Sequence, residues 1–368
     1  MSAPTAAALD GAALRAVFDR SGGLTVGLEE EVLLLDPQTL DPAPVAADVV
    51  ARAAGDPRIK LELPAAQVEL LTRPHADVAA ALDELAGARA ALLATCGDAV
   101  RPAAAAVHPT APAEAELNTG PRYTAIEDHY GVVARRQLVG ALQVHVAVGG
   151  AERTLAVYNA LRGLLPELAA LAAAAPFHEG RDTGLASIRP VIGGQLPRQG
   201  VPPAIASWDT FAAELAWGAA AGGVEEPRRW WWELRPHVVY GTLELRVPDV
   251  QPTPAGAAGV VAFAHALVRW LAARHDAGER LGVPQTWRIA ENRWSALRHG
   301  VEGELADLQT GAVMPTRARL LDLATRLESE LGVDLAATRA LVERPAAMWL
   351  RQVGLARAAG CLADAFAG

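Results

Sequence analysis

Three consecutive glutamates, Glu29, Glu30 and Glu31, begin the apolar run in the stretch GLEEEVLLLD at residues 27–36. Because side chains alternate between the two faces of a strand, Glu29 and Glu31 would share one face and Glu30 would point to the other. Two carboxylates about 4 Å apart repel each other by roughly 4 kcal/mol at an effective dielectric constant of about 20. Protonation, an arginine or a cation must offset this repulsion, unless the face is simply solvated.

Similar polar groups recur inside other apolar, strand-like segments. They are Glu62 and Glu69 in LELPAAQVELLT, Gln143 and His145 in QVHV, and Thr242, Glu244 and Arg246 in TLELR. Strands of one sheet can present these groups to a common surface, and carboxylates with one imidazole suit hard divalent ions such as Mg²⁺ or Mn²⁺. Each segment also has an ordinary interpretation, because a strand histidine is often a hydrogen-bonded core residue and a Glu–Arg pair is often a surface pair. The clusters contain no cysteine, which argues against a structural zinc site.

Four arginines lie near the predicted strands or in a segment rich in glycine and proline, namely Arg122, Arg189, Arg235 and Arg246. The planar guanidinium suits bidentate contact with phosphate or carboxylate, although any one of these arginines could simply face solvent. The sequence contains neither a Walker loop nor a GxGxxG motif after a strand. A bound nucleotide would therefore be held by metal and arginine rather than by a glycine-rich loop.

The elements that would position these residues follow from periodicity and from turn residues. Strands are predicted within 24–35, 58–72 (as two short strands about Pro64), 138–148, 230–239 and 242–250, with Tyr240 and Gly241 at the turn between the last two. Helices are predicted within 76–98, 151–175 (where Pro166 can divide the helix), 255–277 and 316–332, and the remaining carboxyl-terminal sequence is also predicted to be helical.

Residues 176–207 predict a long ordered loop, and loops of that length inside a compact domain are usually functional. The order of elements has no regular βαβα alternation, so we expect an α+β fold with a largely antiparallel sheet. No segment resembles an interdomain linker, so we expect residues 1–368 to form a single domain.

The composition limits which binding partners and which cellular compartment we expect for this chain. A formal net charge of −9 argues against a nucleic-acid partner. Two cysteines, Cys96 and Cys361, indicate a reducing compartment, and residues 1–18 lack the features of a secretory signal. The longest apolar runs are short and contain Glu, His or Arg, so they predict buried helices rather than membrane spans. We expect a cytoplasmic protein that forms a homodimer or a higher homo-oligomer.

The order and spacing of several motifs resemble the glutamate–cysteine ligase type 2 family, and within it the YbdK-like carboxylate–amine ligases. These motifs are TVGLEEEVLLLDPQT, QVELLTRP, RYTAIEDHYG, QLVGALQVHVAV, PFHEGRDTGLASIRP and LRPHVVYGTLELRVPDV. The resemblance covers nearly the whole chain. It implies a glutamine-synthetase-like catalytic fold, in which a curved, largely antiparallel sheet carries helices on its outer face. It also implies ATP and two or three Mg²⁺ or Mn²⁺ ions on the concave face.

The resemblance also implies roles for individual residues by their positions in these motifs. The implied metal ligands are Glu29, Glu31, Glu69, His145 and Glu244, with Glu62 as a further candidate. The implied catalytic residues are Arg189 and Arg246, the implied nucleotide contacts are Arg122, Arg235 and Arg246, and the implied substrate contacts are Gln143, Arg189 and His178. The implied reaction transfers the γ-phosphate of ATP to a carboxylate, and an amine then attacks the acyl phosphate to form an amide.

Two departures from the family pattern bear on the substrates. The family usually has HVHV where this chain has QVHV, and S-A-N-S-P-F-W where this chain has Ala172–Ala175, Pro176, Phe177 and His178. If the lost polar groups contact an amino acid, the chain should favour a different carboxylate or amine over glutamate and cysteine. Alternatively, the alanines only pack a helix. Two other functions remain open, a non-catalytic ligand-binding paralogue and a metal-dependent amide hydrolase.

Overall fold

The computed structural model describes residues 10–224 and 227–368. Residues 1–9, which are half of the segment on which the prediction about a secretory signal depends, lie outside the described residues, as do residues 225–226. Within the described ranges, the chain forms eleven strands: β1 Val26–Leu35, β2 Ile59–Leu61, β3 Gln67–Leu71, β4 Arg101–Ala103, β5 Leu142–Val146, β6 Phe177–His178, β7 Arg181–Asp182, β8 Leu234–His237, β9 Thr242–Leu245, β10 Glu304–Ala306 and β11 Val313–Pro315.

The same ranges contain fifteen α-helices. They are α1 Gly11–Arg20, α2 Ala46–Arg52, α3 Val78–Cys96, α4 Pro121–Tyr130, α5 Val132–Arg135, α6 Ala151–Leu161, α7 Leu165–Ala172, α8 Arg189–Gly193, α9 Trp208–Ala220, α10 Pro254–Asp276, α11 Thr286–His299, α12 Thr316–Leu331, α13 Ala336–Glu343, α14 Ala346–Val353 and α15 Leu355–Ala367.

Seven strands form one sheet in the order β2-β3-β1-β5-β9-β8, and β4 also pairs with β1. Every pairing in this sheet is antiparallel. The ten-residue β1 is the longest strand and lies at the centre, so its register with β3 and β5 fixes the positions of the other polar side chains. The predicted α+β fold with a largely antiparallel sheet is therefore confirmed.

Helices cover one face of the sheet. Alternate residues of β1, among them Val26, Leu28, Val32 and Leu34, belong to the main hydrophobic core together with residues of α3, α6 and α10. The 23-residue α10 is the one described helix long and apolar enough to span a membrane, but 78% of its most apolar window is buried within the protein. It was predicted as a buried helix, and it packs against α6, α13 and β5.

Two predicted regions differ from the structure. Residues 176–207 are not a continuous loop, because they contain the β6–β7 hairpin and α8. Residues 304–315 form the β10–β11 hairpin rather than helix. Its turn is stabilised by the Asp307 carboxylate, which accepts hydrogen bonds from the backbone of Gln309 and Thr310. Gly311 adopts a φ of +76°, a conformation that favours glycine. These short strands lacked a detectable periodic pattern.

Glu30 lies on the helical face, as the strand alternation predicted. Its carboxylate is fully buried, and Arg89 of α3 donates Nε to its Oε2 at 2.7 Å and Nη2 to its Oε1. The Arg89 guanidinium also lies 4.9 Å from the centre of the Phe366 ring in α15. This buried ion pair links the central strand to two helices and compensates one of the three charges of the acidic run.

We expect Glu30→Gln to lower the free energy of unfolding by about 3–5 kcal/mol, because it leaves the Arg89 charge buried without its partner. Urea unfolding followed by circular dichroism measures this change. Asp364→Asn is the matched control, because it breaks an ion pair with Arg101 in which the Asp364 side chain is 74% exposed. This substitution should lower the free energy of unfolding by less than about 1 kcal/mol. A cost of that small size for Glu30→Gln would show that the buried pair does not hold the fold.

Candidate active site

The antiparallel register brings the predicted site residues onto the face opposite the helices. Glu31 of β1 lies opposite Glu69 of β3, and Glu29 lies opposite Gln143 of β5. In the next pairing, His145 of β5 lies opposite Glu244 of β9. Residues on different strands, 38 to 215 positions apart in sequence, are thereby joined into one cluster across four neighbouring strands.

His145 is held with one ring nitrogen directed at two carboxylates. Its Nδ1 lies 3.0 Å from the hydroxyl of Thr242, which fixes the orientation of the ring. Its Nε2 lies 3.3 Å from Glu29 Oε1 and 3.9 Å from Glu244 Oε2. This Nε2 is buried and has no hydrogen-bond partner among the described residues. One ligand atom from each of the three residues lies within 4.8 Å of the others, so they fit a divalent cation.

Glu244 is also held by two arginines. Arg235 donates Nε to Oε2 at 2.6 Å and Nη2 to Oε1 at 3.0 Å, and Nη1 of Arg246 contacts Oε1. Burial opposes ionisation of Glu244, but Arg235 and Arg246 outweigh it and hold the pKa well below its usual range. A carboxylate offers about four lone-pair positions, so one position on Oε2, the oxygen nearer His145, is not used by the arginines.

Three carboxylates of the cluster, Glu31, Glu62 and Glu69, carry the opposite pKa shift. Burial and the neighbouring Glu62 raise the pKa of Glu31 to about 7. Desolvation also raises the pKa of Glu62. Desolvation and the charges of Glu29, Glu62 and Glu31 raise the pKa of Glu69 well above its usual value. These carboxylates repel one another, and a bound cation would relieve the repulsion.

Two cavities meet at this cluster. The larger, of about 1010 Å³, is lined by Glu29 and His145, by basic side chains together with the acidic Asp56 and Glu84, by hydroxyl side chains and by the ring of Tyr240. The smaller, of about 150 Å³, is lined by Glu31 and Glu62 together with Arg122, Arg189 and Arg246. The carboxylates of one cluster thus face two separate spaces.

The helix α4 covers part of the smaller cavity and contributes Arg122, Tyr123 and Ile126 to its lining. None of its residues is buried. Its flanking residues Gly120 and Gly131 both have positive φ, at +128° and +57°. The wall of the smaller cavity that faces the sheet is therefore a lightly packed helix.

The structure places the predicted arginines in different environments. Arg246 lies between the cluster and the smaller cavity. Arg189 lines the same cavity, but it donates Nε to Asp249 at 2.7 Å and Nη2 to the carbonyl oxygen of Val247 at 2.6 Å. Arg235 is buried against Glu244 and lines neither cavity. The geometry therefore makes Arg235 a counterion for Glu244, and the nucleotide contact that the family resemblance implies for it stays a prediction.

Two predicted substrate contacts are not brought to the cavities. Gln143 is 2% exposed, donates Nε2 to Glu31 at 2.8 Å and accepts from Arg246, so it links these side chains instead of lining a cavity. His178 lies on the β6–β7 hairpin and lines neither cavity. Its neighbour Phe177 packs in a separate hydrophobic cluster that includes Leu33.

The alanine segment Ala172–Ala175 is buried, and each residue is at most 3% exposed. Its backbone is held by hydrogen bonds, because Ala174 N donates to the Asp249 carboxylate and Ala172 O accepts from the Gln251 amide. The segment lines neither of the two cavities. The packing interpretation of these alanines therefore fits the structure better than the loss of a substrate contact.

Sequence reasoning missed the basic residues of the larger cavity, Arg58, Lys60 and Arg73. The sequence did contain a signal for Lys60. Lys60 and Glu62 are two residues apart in one predicted strand, so their side chains share a face. In the structure, Lys60 lies opposite Glu69. Arg58 and Arg73 lie at the ends of strands, where alternation gives no information.

Comparisons with known proteins agree on one family. The model of the family described as glutamate-cysteine ligase family 2 (GCS2) matches residues 25–357. A protein of Rubrobacter xylanophilus, named "Putative glutamate--cysteine ligase 2-3", is 36% identical over 95% of this chain and 99% of its own length. A Ruegeria pomeroyi protein, named "Putative glutamate--cysteine ligase 2", is 34% identical over 84% of this chain and 83% of its own length.

Solved structures share the fold at low sequence identity. The glutamate–cysteine ligase of Francisella tularensis in complex with AMP has a TM-score of 0.69 at 12% identity, covering 95% of this chain and 90% of that one. A bifunctional glutathione synthetase from Pasteurella multocida has a TM-score of 0.66 at 14% identity, covering 99% of this chain and 55% of that one.

We expect Mn²⁺ to stabilise the chain, by about 2.7 kcal/mol at a hundred times its dissociation constant, and EDTA to reverse the effect. Glu69→Gln should weaken this response while leaving the metal-free protein at least as stable as the wild type, because it removes one of the repelling carboxylates. Thermal unfolding with and without Mn²⁺ measures both effects. Asp364→Asn, far from the cluster, should respond to Mn²⁺ as the wild type does; an unchanged response in Glu69→Gln would contradict the cation site.

Proposed function

This chain belongs to glutamate–cysteine ligase family 2, and from that membership we propose that it is an ATP-dependent ligase that joins a carboxylate to an amine. One observation carries the proposal: a single carboxylate and histidine cluster forms the boundary between two cavities. A phosphoryl transfer needs its donor and acceptor on opposite sides of the transferred group, and this arrangement provides two such sides.

ATP would occupy the larger cavity. Its volume of about 1010 Å³ lies at the upper end of the range for small-molecule sites, about 300–1,000 Å³. Lys60 supplies positive charge for a triphosphate, whereas Arg58 and Arg73 are paired with Asp56 and Glu84 of the same lining. Tyr240 adds an aromatic ring at the rim. The complex of the Francisella tularensis enzyme with AMP supports nucleotide binding in this fold.

The carboxylate substrate would occupy the smaller cavity beside Arg122 and Arg246. Its oxygen attacks the γ-phosphorus of ATP, the bond from that phosphorus to the bridging oxygen breaks, and ADP and an acyl phosphate form. An amine then attacks the acyl carbon, and inorganic phosphate leaves with the electron pair of the carbon–oxygen bond. The amine loses a proton and an amide results. Positioning and charge neutralisation do most of this work.

Mg²⁺ or Mn²⁺ would be held by Glu29, His145 and Glu244, and by Glu31, Glu69 and Glu62 on the side of the smaller cavity. The ion would neutralise charge on the phosphates. The chain's own residues position this set, because Thr242 orients His145 and Gln143 connects Glu31 to Arg246. Burial opposes the charge of Arg246, but Glu244 and Glu31 raise its pKa, so the guanidinium stays charged beside the reacting groups.

A second candidate is a non-catalytic paralogue that binds a ligand on the same face. The double arginine contact to Glu244 favours it, since such contacts also stabilise a fold that has no chemistry to perform. The carboxylates with raised pKa favour the ligase, because retaining their mutual repulsion without a cation would only destabilise the protein.

The test is ADP release in Mg²⁺ with a panel of carboxylates, including glutamate, paired with amines, including cysteine. We expect at least one pair to stimulate ADP release and to yield an amide detected by mass spectrometry. Arg246→Gln should lower kcat by about 10²-fold or more, because it removes a preorganised cation at the transferring phosphoryl group.

Arg181→Gln is the matched control, because Arg181 lies on the β6–β7 hairpin with its side chain 73% exposed. The activity of this variant should equal that of the wild type. If no pair stimulates ADP release while calorimetry shows that ATP binds, the non-catalytic paralogue is correct. If ATP does not bind at all, the ligase is wrong.

A further inference from the structure

Gln67, which lines the smaller cavity, has an unsatisfied hydrogen-bond acceptor. The residue is fully buried on β3, and its Nε2 donates to the carbonyl oxygen of Val139 at 2.8 Å. That carbonyl oxygen can only accept, so it fixes which end of the amide faces it. The other end, Oε1, is buried and has no hydrogen-bond partner among the described residues. An unsatisfied buried acceptor costs about 1–3 kcal/mol, which a bound donor would recover.

Gln137 lines the same cavity, and the main chain also holds the donor end of its amide. It is 7% exposed, and its Nε2 donates to the carbonyl oxygens of Val133 at 3.1 Å and Ile192 at 3.5 Å. The main chain therefore engages the donor end of both amides and leaves the oxygen ends to accept. Gln67 and Gln137, which we call the glutamine floor, both line the cavity that contains Glu31 and Glu62.

The surroundings of the floor define the chemistry it recognises. Carbonyl oxygens and carboxylates would repel a carboxylate ligand, whereas an amine supplies N–H donors to them. Apolar side chains complete this end of the cavity, namely Leu63, Ile126, Val139, Pro190 and Leu196. Gln67 and Glu69 share a face of β3 two residues apart, which is about 7 Å along a strand. A donor on Gln67 would therefore lie close to the carboxylate cluster.

We infer that the glutamine floor is the subsite for the amine substrate, and that it takes a primary amine on a small apolar body. This inference rests on the proposed ligase function and specifies where its second substrate binds. The arginines Arg122 and Arg246 then take the carboxylate substrate, so the two substrates are separated by charge within one cavity. Gln67 acts as a specificity residue through its Oε1 atom.

The test is titration of the full chain in Mg²⁺ with n-butylamine and with butyrate, two probes of matched size, followed by ligand-observed NMR. We expect n-butylamine to bind, and Gln67→Met to weaken its binding by about tenfold, the size of one hydrogen bond to a charged donor. Gln67→Glu keeps an acceptor but loses the donor to Val139, so it should bind within about threefold of the wild type.

This pair of variants separates recognition from structure. If Gln67 serves only to hold Val139, Gln67→Glu will be impaired as strongly as Gln67→Met, and the inference is wrong. It is also wrong if Gln67→Met binds n-butylamine within about twofold of the wild type, or if butyrate competes with n-butylamine. If Gln67→Met does not fold, as judged by thermal unfolding, Gln137→Met is tested against the same thresholds.

ADP release by the same variants separates this inference from the proposed function. Binding of n-butylamine that depends on Gln67, without ADP release by the wild type for any substrate pair, contradicts the ligase and leaves the amine subsite in place. ADP release that responds to amines but has the same amine KM in Gln67→Met contradicts the subsite and leaves the ligase in place. The KM for ATP should not change in either variant.

Discussion

Several carboxylates share one face of the sheet and repel one another, and the surrounding structure is arranged around that repulsion. The charge of Glu30 is compensated within the core by Arg89, and that of Glu244 by Arg235 and Arg246. Glu29, Glu31 and Glu62 face the two cavities, where a cation and its phosphate ligands can lie. The position of each carboxylate follows from the antiparallel register about the central strand.

The arginines divide into two functional groups. Arg89 and Arg235 are buried counterions, whose fixed bidentate contacts hold acidic side chains in place. Arg122 and Arg246 border the smaller cavity, where a guanidinium can contact a ligand. Arg189 belongs to both groups, because it lines the smaller cavity while its guanidinium is held by Asp249 and by a backbone carbonyl oxygen. Glu244 joins the two groups, since it contacts a buried arginine and a cavity arginine at once.

Strand alternation was sufficient to predict the main sheet and its acidic face. It separated Glu30 from Glu29 and Glu31, and it placed His145 and Glu244 on strands that proved to be neighbours. Alternation could not show that Gln143 is enclosed between Glu31 and Arg246, because that depends on side-chain contacts across strands. It also could not show that His178 lines neither cavity, because the position of the β6–β7 hairpin depends on packing between residues that are distant in sequence. The roles that the family resemblance implies for these residues remain predictions, as do the single domain, the homo-oligomer and the cytoplasmic location.

The two walls of the smaller cavity differ in how firmly the fold constrains them. Its sheet wall belongs to the central strands, so a substitution there disturbs buried contacts. Its other wall is α4, which has no buried residue and ends at a glycine on each side. Surface substitutions away from buried contacts usually change stability by no more than about 0.5 kcal/mol. Substitutions in α4 can therefore change which carboxylate substrate is bound, while the reacting groups on the strands stay the same.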